Sequence, residues 1–200
     1  MTTARDLFIV GTDVPGDRPV EQGDLSLALA GAELVDLLGA RAATLEGDRV
    51  VPGPPMTLGD RMLDEAGSAL VRQEPYEKVD DWLWRRGEGL ASAYFDVLDT
   101  EGQLTGEPRP WFPRRPRGAA AADTAARRQA TDRWESREPV LSTLAASLGI
   151  QGGERAGEDF TDEPVVAVLA AVGDALTELT AVRQRREIEN AAFDNIWRAP

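Results

Sequence analysis

The strongest hydrophobic pattern in the chain runs from Leu25 to Leu38, where apolar residues stand on every side of a predicted helix. One face at helical spacing carries Leu27, Ala30, Gly31, Leu34 and Leu38. The other sides carry Leu25, Leu29, Val35 and Leu37. A surface helix would show a single apolar stripe, so this pattern predicts a buried central helix.

The rest of the chain reads as amphipathic helices separated by turns. Asp24 is the expected cap of the central helix, and Thr57 to Asp60 reads as a capping box for the helix after it. Further helices are predicted over residues 76–84, 89–99, 119–136 and 139–148, and from residue 161 or 162 onward. Short hairpins are predicted over 43–51, around Gly47-Asp48, and over 103–115.

These elements predict an all-α fold: a compact bundle of amphipathic helices around a buried apolar central helix, with one or two short β-hairpins. The chain has 200 residues, enough for one domain with a sizeable core, and we expect a single domain over residues 1–200.

Charge and composition limit the kinds of function that the protein can have. The formal net charge is −13, which argues against nucleic-acid binding because that depends on clustered cations. No signal peptide is evident, and Gly, Asp and Glu interrupt the apolar runs, so we expect no membrane span and a cytoplasmic location. Abundant Ala, Gly and Arg, with Lys78 as the single lysine, indicate a GC-rich bacterial genome.

The chain offers little conventional catalytic chemistry. It has no histidine and no cysteine, which removes the commonest general bases, thiol nucleophiles and zinc ligands. No glycine string matches a nucleotide-binding loop. We therefore expect no catalytic residue, metal site or cofactor, and a carboxylate-based enzyme stays open only as a third alternative.

Four motifs, in order, resemble the Golgi phosphoprotein 3 family. They are the small-residue helix around Leu29-Ala30-Gly31, Leu63-Asp64-Glu65-Ala66, Val79-Asp80-Asp81-Trp82-Leu83, and the helix end that leads to Gly102 and Leu104. The resemblance spans roughly residues 5–195 and suggests a bacterial, actinobacterial-type member. It implies a peripheral membrane protein that binds phosphatidylinositol 4-phosphate and holds glycosyltransferases by their cytoplasmic tails.

The resemblance also implies where a headgroup pocket should lie, and this chain departs from it there. The family uses one arginine in the central helix, two in the helix before the hairpin and a tryptophan in the early loop. The matching positions here hold Ala30, Glu88 and Ala91, and the loop of residues 12–23 has no tryptophan. We expect the pocket to be lost, with Arg85 and Arg86 as fallback headgroup ligands if the register differs.

One basic, aromatic segment stands out in this acidic chain. Residues 108–117 contain no acid, and they carry Trp111, Phe112, Arg109, Arg114, Arg115 and Arg117. Aromatic rings beside arginines suit a membrane interface, with rings at headgroup level and guanidinium groups on phosphates. The competing interpretation is that the rings anchor the hairpin to its own core and the arginines pair with surplus carboxylates.

The sequence thus leads to two main hypotheses. The first is a non-enzymatic peripheral membrane or adaptor protein that contacts an anionic membrane surface, at the inner membrane face, or client proteins through the segment 108–117. The second is a soluble homo-oligomeric scaffold in which the same segment joins subunits without lipid binding. A homo-oligomer is expected under both hypotheses.

Overall fold

A computed structural model describes residues 2–14, 19–104, 124–153 and 162–197, with side chains described up to residue 190. In this part of the chain the fold is mostly helical, with one two-stranded antiparallel sheet, which confirms the predicted fold class. The elements are α1 (Thr3–Asp13), α2 (Gln22–Gly39), β1 (Ala43–Glu46), β2 (Arg49–Pro52), α3 (Arg61–Ser68), α4 (Val79–Gly87), α5 (Leu90–Thr100), α6 (Ala125–Glu135), α7 (Pro139–Ser147) and α8 (Glu163–Trp197).

Helix α2 is the centre of the core, as the sequence predicts. Its leucines at 25, 29, 34 and 37 are completely buried, and it packs against α1, α3, α4, α5 and α8. The close approach of α8 depends on Gly31, because a Cβ atom added there would overlap Cγ2 of Val172. The small residues in this helix therefore let neighbouring helices surround it.

The predicted caps are close to the observed ones but shifted. Helix α2 begins earlier than expected: Glu21 occupies the cap position and Asp24 lies in the first turn. Asp60, not Thr57, caps α3, because its carboxylate accepts a hydrogen bond from the Leu63 amide at 3.1 Å. Glu21 makes no side-chain cap hydrogen bond, so cap preference does not mark the start of α2, whereas Thr57 and Asp60 are both favoured cap residues.

The first predicted hairpin is confirmed, and the second lies outside the described residues. Strands β1 and β2 pair from Ala43 opposite Pro52 to Glu46 opposite Arg49. Gly47 begins the two-residue turn with a φ of 63°, a conformation that side-chain-bearing residues rarely adopt. The hairpin predicted at 103–115 falls almost wholly within residues 105–123, which are not described.

Helix α8 is the longest described helix and packs by one side. Val165, Val168, Val172 and Leu176 are buried, and α8 contacts α2, α4 and α7. By length and composition alone, α8 is long and apolar enough to cross a membrane, and it is the one described helix that meets that test. Only 39% of its apolar window is buried, so much of the opposite side remains open.

Candidate functional site

A cleft lies where the start of α2, the junction of α4 with α5, and α8 meet. We call it the α2–α4–α8 cleft; it has a volume of about 440 Å³. Residues from all three parts line it, including Gln22, Gly23, Leu27, Trp84, Glu88 and Leu179. It is the region in which the family resemblance places a headgroup pocket, because Glu88 is one of the family-matched positions.

Glycines shape this cleft by bringing helices together and reversing the chain. Gly87 is the last residue of α4. Gly89, with a φ of 69°, lies in the short turn between the helices and is the cap residue before α5. On the opposite wall, a Cβ atom added to Gly23 would lie 2.8 Å from an Arg183 nitrogen and 3.2 Å from Leu179 Cδ2. The backbone of α2 and the side chains of α8 therefore meet directly at the edge of the cleft.

The residues at the family-matched positions cannot bind an anion. Ala30 and Ala91 are completely buried, and their methyl groups carry no charge. The amide of Ala91 donates to Ser26 Oγ at 3.1 Å, and the carbonyl of Ala30 accepts from the Trp82 indole at 3.1 Å. Glu88 is exposed at the rim and adds a negative charge. At these three positions the described side chains pack in the core or carry a negative charge.

Arg183, which lies at the edge of this cleft, is already neutralised. Arg183 of α8 lies 3.1 Å from a Glu21 carboxylate oxygen and 2.7 Å from one of Asp24. With Glu88, these groups make three carboxylates and one guanidinium, a local formal charge of −2. A phosphate group entering the cleft would meet net repulsion.

Arg86, a fallback headgroup candidate, lies in a buried polar cluster. Its guanidinium donates to both carboxylate oxygens of Glu33, at 2.7 and 2.9 Å, and to the Met62 carbonyl at 3.3 Å. The Tyr94 hydroxyl donates to the same carboxylate at 3.0 Å. Glu33 and Tyr94 are completely buried, so this cluster joins α2, α4 and α5 inside the core.

The electrostatics of this cluster follow from its burial. Burial raises the pKa of Glu33, while the Arg86 guanidinium and the Tyr94 hydroxyl oppose the rise. Burial and the neighbouring Glu33 charge hold the pKa of the Tyr94 hydroxyl well above its ordinary value. Removing Arg86 from the cluster to bind a headgroup would leave a buried carboxylate without its counter-ion.

Arg85, the other fallback candidate, lies on the surface but is also engaged. Two of its nitrogens donate to Glu77 at 2.6 and 2.7 Å, and one also donates to the Ala69 carbonyl at 3.0 Å. Its guanidinium carbon stands 5.4 Å from the centre of the Trp82 ring. To bind a phosphate, Arg85 would have to give up its two hydrogen bonds to the Glu77 carboxylate.

A second cavity, of about 630 Å³, lies beside the start of α1 and is lined by charged groups. Arg5 donates to both carboxylate oxygens of Glu101, at 2.5 and 2.9 Å, and its Nε lies 3.0 Å from Asp60. Asp36 lines the same cavity and accepts a hydrogen bond from the Ala4 amide at 3.3 Å. Burial raises the pKa of Asp36 to about 6. These contacts tie α1 to α2, to the start of α3 and to the end of α5.

The hairpin residues singled out from the sequence lie outside the described residues: Trp111, Phe112, Arg109, Arg114, Arg115 and Arg117. Their role as a contact therefore stays a prediction. Within the described part of the chain, no group of three Asp or Glu side chains is placed to hold a metal ion.

The sequence did not reveal the partners of the two fallback arginines. Glu33 and Arg86 are 53 residues apart in the chain, so no local spacing links them. The one available signal is Glu33 itself, a carboxylate in an otherwise apolar helix that needs a buried partner. Trp84 is 38% exposed at the cleft.

Comparison with known proteins identifies the family. No curated protein and no solved structure matches the chain significantly. A family model described as Golgi phosphoprotein 3 (GPP34) matches residues 4–199, from the first turn of α1 past the end of α8. Because this match covers nearly the whole chain, the protein belongs to the Golgi phosphoprotein 3 family.

Proposed function

We propose that this protein is a non-enzymatic peripheral adaptor of the Golgi phosphoprotein 3 family that has lost phosphoinositide recognition. The observation that carries the proposal is the charge of the α2–α4–α8 cleft. Ala30 and Ala91 are sealed in the core, Glu88 adds a negative charge, and Arg183 is paired with two carboxylates. A site with this net negative charge repels a phosphorylated sugar.

The contact surface of this adaptor is the basic, aromatic segment 108–117. Arg85, Arg86 and Arg183, which stand on two helices that line the cleft, are all held by carboxylates. Segment 108–117 carries four arginines and no acid, in a chain with a formal net charge of −13. Each cation near an anionic surface contributes about 1 kcal/mol, so four arginines with two aromatic rings suit weak, reversible docking at the inner membrane face.

The test is co-sedimentation with phosphatidylserine vesicles. We expect the wild-type protein to sediment and the double variant W111S/F112S to remain in the supernatant, with an unchanged circular dichroism spectrum. The matched control is W84S, which removes an exposed ring from α4 outside the segment and should sediment like wild type. If all three proteins sediment to the same extent, or if none of them sediments, the proposed role of the segment 108–117 as a membrane contact is contradicted.

The same variants address the alternative function, a homo-oligomeric scaffold joined by this segment. That alternative predicts that W111S/F112S lowers the molar mass in light scattering and that vesicles retain neither protein. Such a result would show that the segment 108–117 contacts another subunit and not a membrane. It would not bear on the proposed loss of the headgroup pocket.

A further inference from the structure

Helix α6 contacts the body of the protein through few apolar side chains. It has 11 residues, the same length as α5, but its buried residues are only Ala126 and Ala130. Helix α5 buries the larger side chains of Leu90, Tyr94 and Leu98. An alanine methyl group removes little apolar surface from water, so α6 gains less from packing than α5 does. An isolated helix of this length is marginal in water, so α6 stays helical only while it is docked.

The apolar contact under α6 is separate from the main core. Among the described residues, three buried apolar side chains lie outside the continuous core, namely Ile9 of α1 and the two alanines Ala126 and Ala130. Helix α6 packs directly against α1, and no residue from 125 to 133 belongs to the main core. Removing α6 from α1 therefore uncovers Ile9 without separating any residues of that core.

Ion pairs make up the rest of the contact between α6 and α1. Arg127 of α6 forms an ion pair with Asp13 of α1. Near the other end of α6, the Arg133 guanidinium donates to the Asp6 carboxylate at 2.5 Å and to the Glu138 carboxylate at 3.0 Å. Helix α1 thus supplies one carboxylate to each of two arginines of α6.

The pair between Arg133 and Asp6 has a high desolvation cost. Asp6 is completely buried, and its Oδ1 atom has no hydrogen-bond partner in the described structure. Burial raises the pKa of Asp6, although the Arg133 guanidinium opposes the rise. Buried ion pairs add little net stability, because desolvation offsets much of their attraction. The docking of α6 is therefore weak compared with that of α5.

The C-terminal end of α6 is fixed to the body and provides a hinge. Trp134 packs against the main core, and a Cβ atom added to Gly152 would lie 3.4 Å from the Trp134 Cζ2 atom. In the turn to α7, the Glu138 amide donates to the Arg133 carbonyl at 3.0 Å. The part of α6 that can leave α1 is therefore residues 125–133, which turn about Trp134.

We propose that α6 is a releasable strap, in which Asp6 and Asp13 of α1 mask two arginines that opening frees for an anionic surface. Residues 125–137 carry four arginines and two acids, and they follow the segment 108–117 in the chain. Opening therefore adds cations to the contact made by that segment. The masking role rests on the proposed membrane contact, whereas the opening of α6 does not depend on it.

The first test measures the opening by amide hydrogen exchange of the full chain in native buffer. In wild type, we expect α6 amides to exchange at least about tenfold faster than α5 amides. R133M leaves the buried Asp6 carboxylate without its counter-ion, so it should speed α6 exchange by a further factor of about ten and leave α5 unchanged. Adding D6N to R133M removes that charge and should restore most of the protection.

The matched control for R133M is R61M, which removes an arginine from an exposed ion pair on α3 and should leave α6 exchange unchanged. Equal exchange of α5 and α6 in wild type would overturn the proposal, because α6 would then open only with the whole fold. An equal increase in both helices in R133M would overturn it for the same reason. Failure of D6N to restore protection would show that the Asp6 charge does not control the docking of α6, which also overturns the proposal.

The second test measures the masking by co-sedimentation with phosphatidylserine vesicles. D13N frees Arg127 and should raise the vesicle affinity by up to about fivefold. The matched control D80N removes the same charge from an exposed position on α4 and should raise the affinity less. If D13N and D80N bind equally while wild type sediments, the masking is overturned and the membrane contact stands. If no protein sediments, wild type included, both the masking and the membrane contact are overturned.

Discussion

At the scale of single residues, charge pairing decides what this molecule can bind. Two arginines that look like free cations in the sequence are paired in the fold with acids far away in the chain. Arg86 pairs with Glu33 and Arg183 with Asp24, across 53 and 159 residues. An arginine held in this way contributes to stability through its partner and offers little attraction to an added anion.

Asp36 gives the clearest residue-level prediction, because burial raises its pKa to about 6. In the unfolded chain an aspartate titrates near about 3.9, so the native state binds more protons between these values. The free energy of unfolding should therefore fall as pH rises from about 4 to 6, by about 2 kcal/mol from this group.

The variant D36N isolates this effect, because asparagine stays neutral and keeps an oxygen for the Ala4 amide. We expect the stability of D36N relative to wild type to improve by about 2 kcal/mol between pH 4.5 and pH 7.5. Urea unfolding of both proteins at each pH measures it. A difference between the two proteins that does not change with pH would show that folding does not raise the pKa of Asp36.

At the scale of elements, the fold depends on how closely helices approach α2. Gly31 is the key position, because Val172 of α8 occupies the space where a Cβ atom would stand. We expect G31A to destabilise the protein. Overpacking against Val172 costs about 1–3 kcal/mol, and the higher helix propensity of alanine offsets about 1 kcal/mol of that cost.

A double-mutant cycle tests this packing. V172A should also destabilise the protein, by leaving a cavity, but the alanine methyl group of G31A should partly fill that space. The double variant G31A/V172A should therefore lose less stability than the sum of the single variants. Additive losses in thermal unfolding would show that the two side chains do not compete for the same space.

The elements were largely predictable from sequence, and their long-range pairings were not. The apolar residues of α2 recur on every side, so its burial follows from periodicity alone. Gly47 marks the first hairpin because few other residues adopt its backbone conformation. By contrast, the cap of α3 falls on Asp60 and not on Thr57, and the engagement of Arg86 depends on a contact that only the tertiary fold creates.

At the scale of the whole molecule, the protein is a helical member of the Golgi phosphoprotein 3 family. The family match extends over residues 4–199, and the described core is built around α2, as the apolar pattern predicts. The family-matched headgroup positions, Ala30, Glu88 and Ala91, are apolar or acidic. The surface proposed to act instead is the segment 108–117.

The most direct test of this account compares two sets of vesicles with equal negative charge, one containing phosphatidylinositol 4-phosphate and the other phosphatidylserine alone. Retention of the wild-type protein is measured as a function of lipid concentration. If the cleft has lost its cationic cluster, the two binding curves should coincide. Saturable binding that is stronger on phosphatidylinositol 4-phosphate, and that R85Q abolishes without changing the fold, would contradict the account.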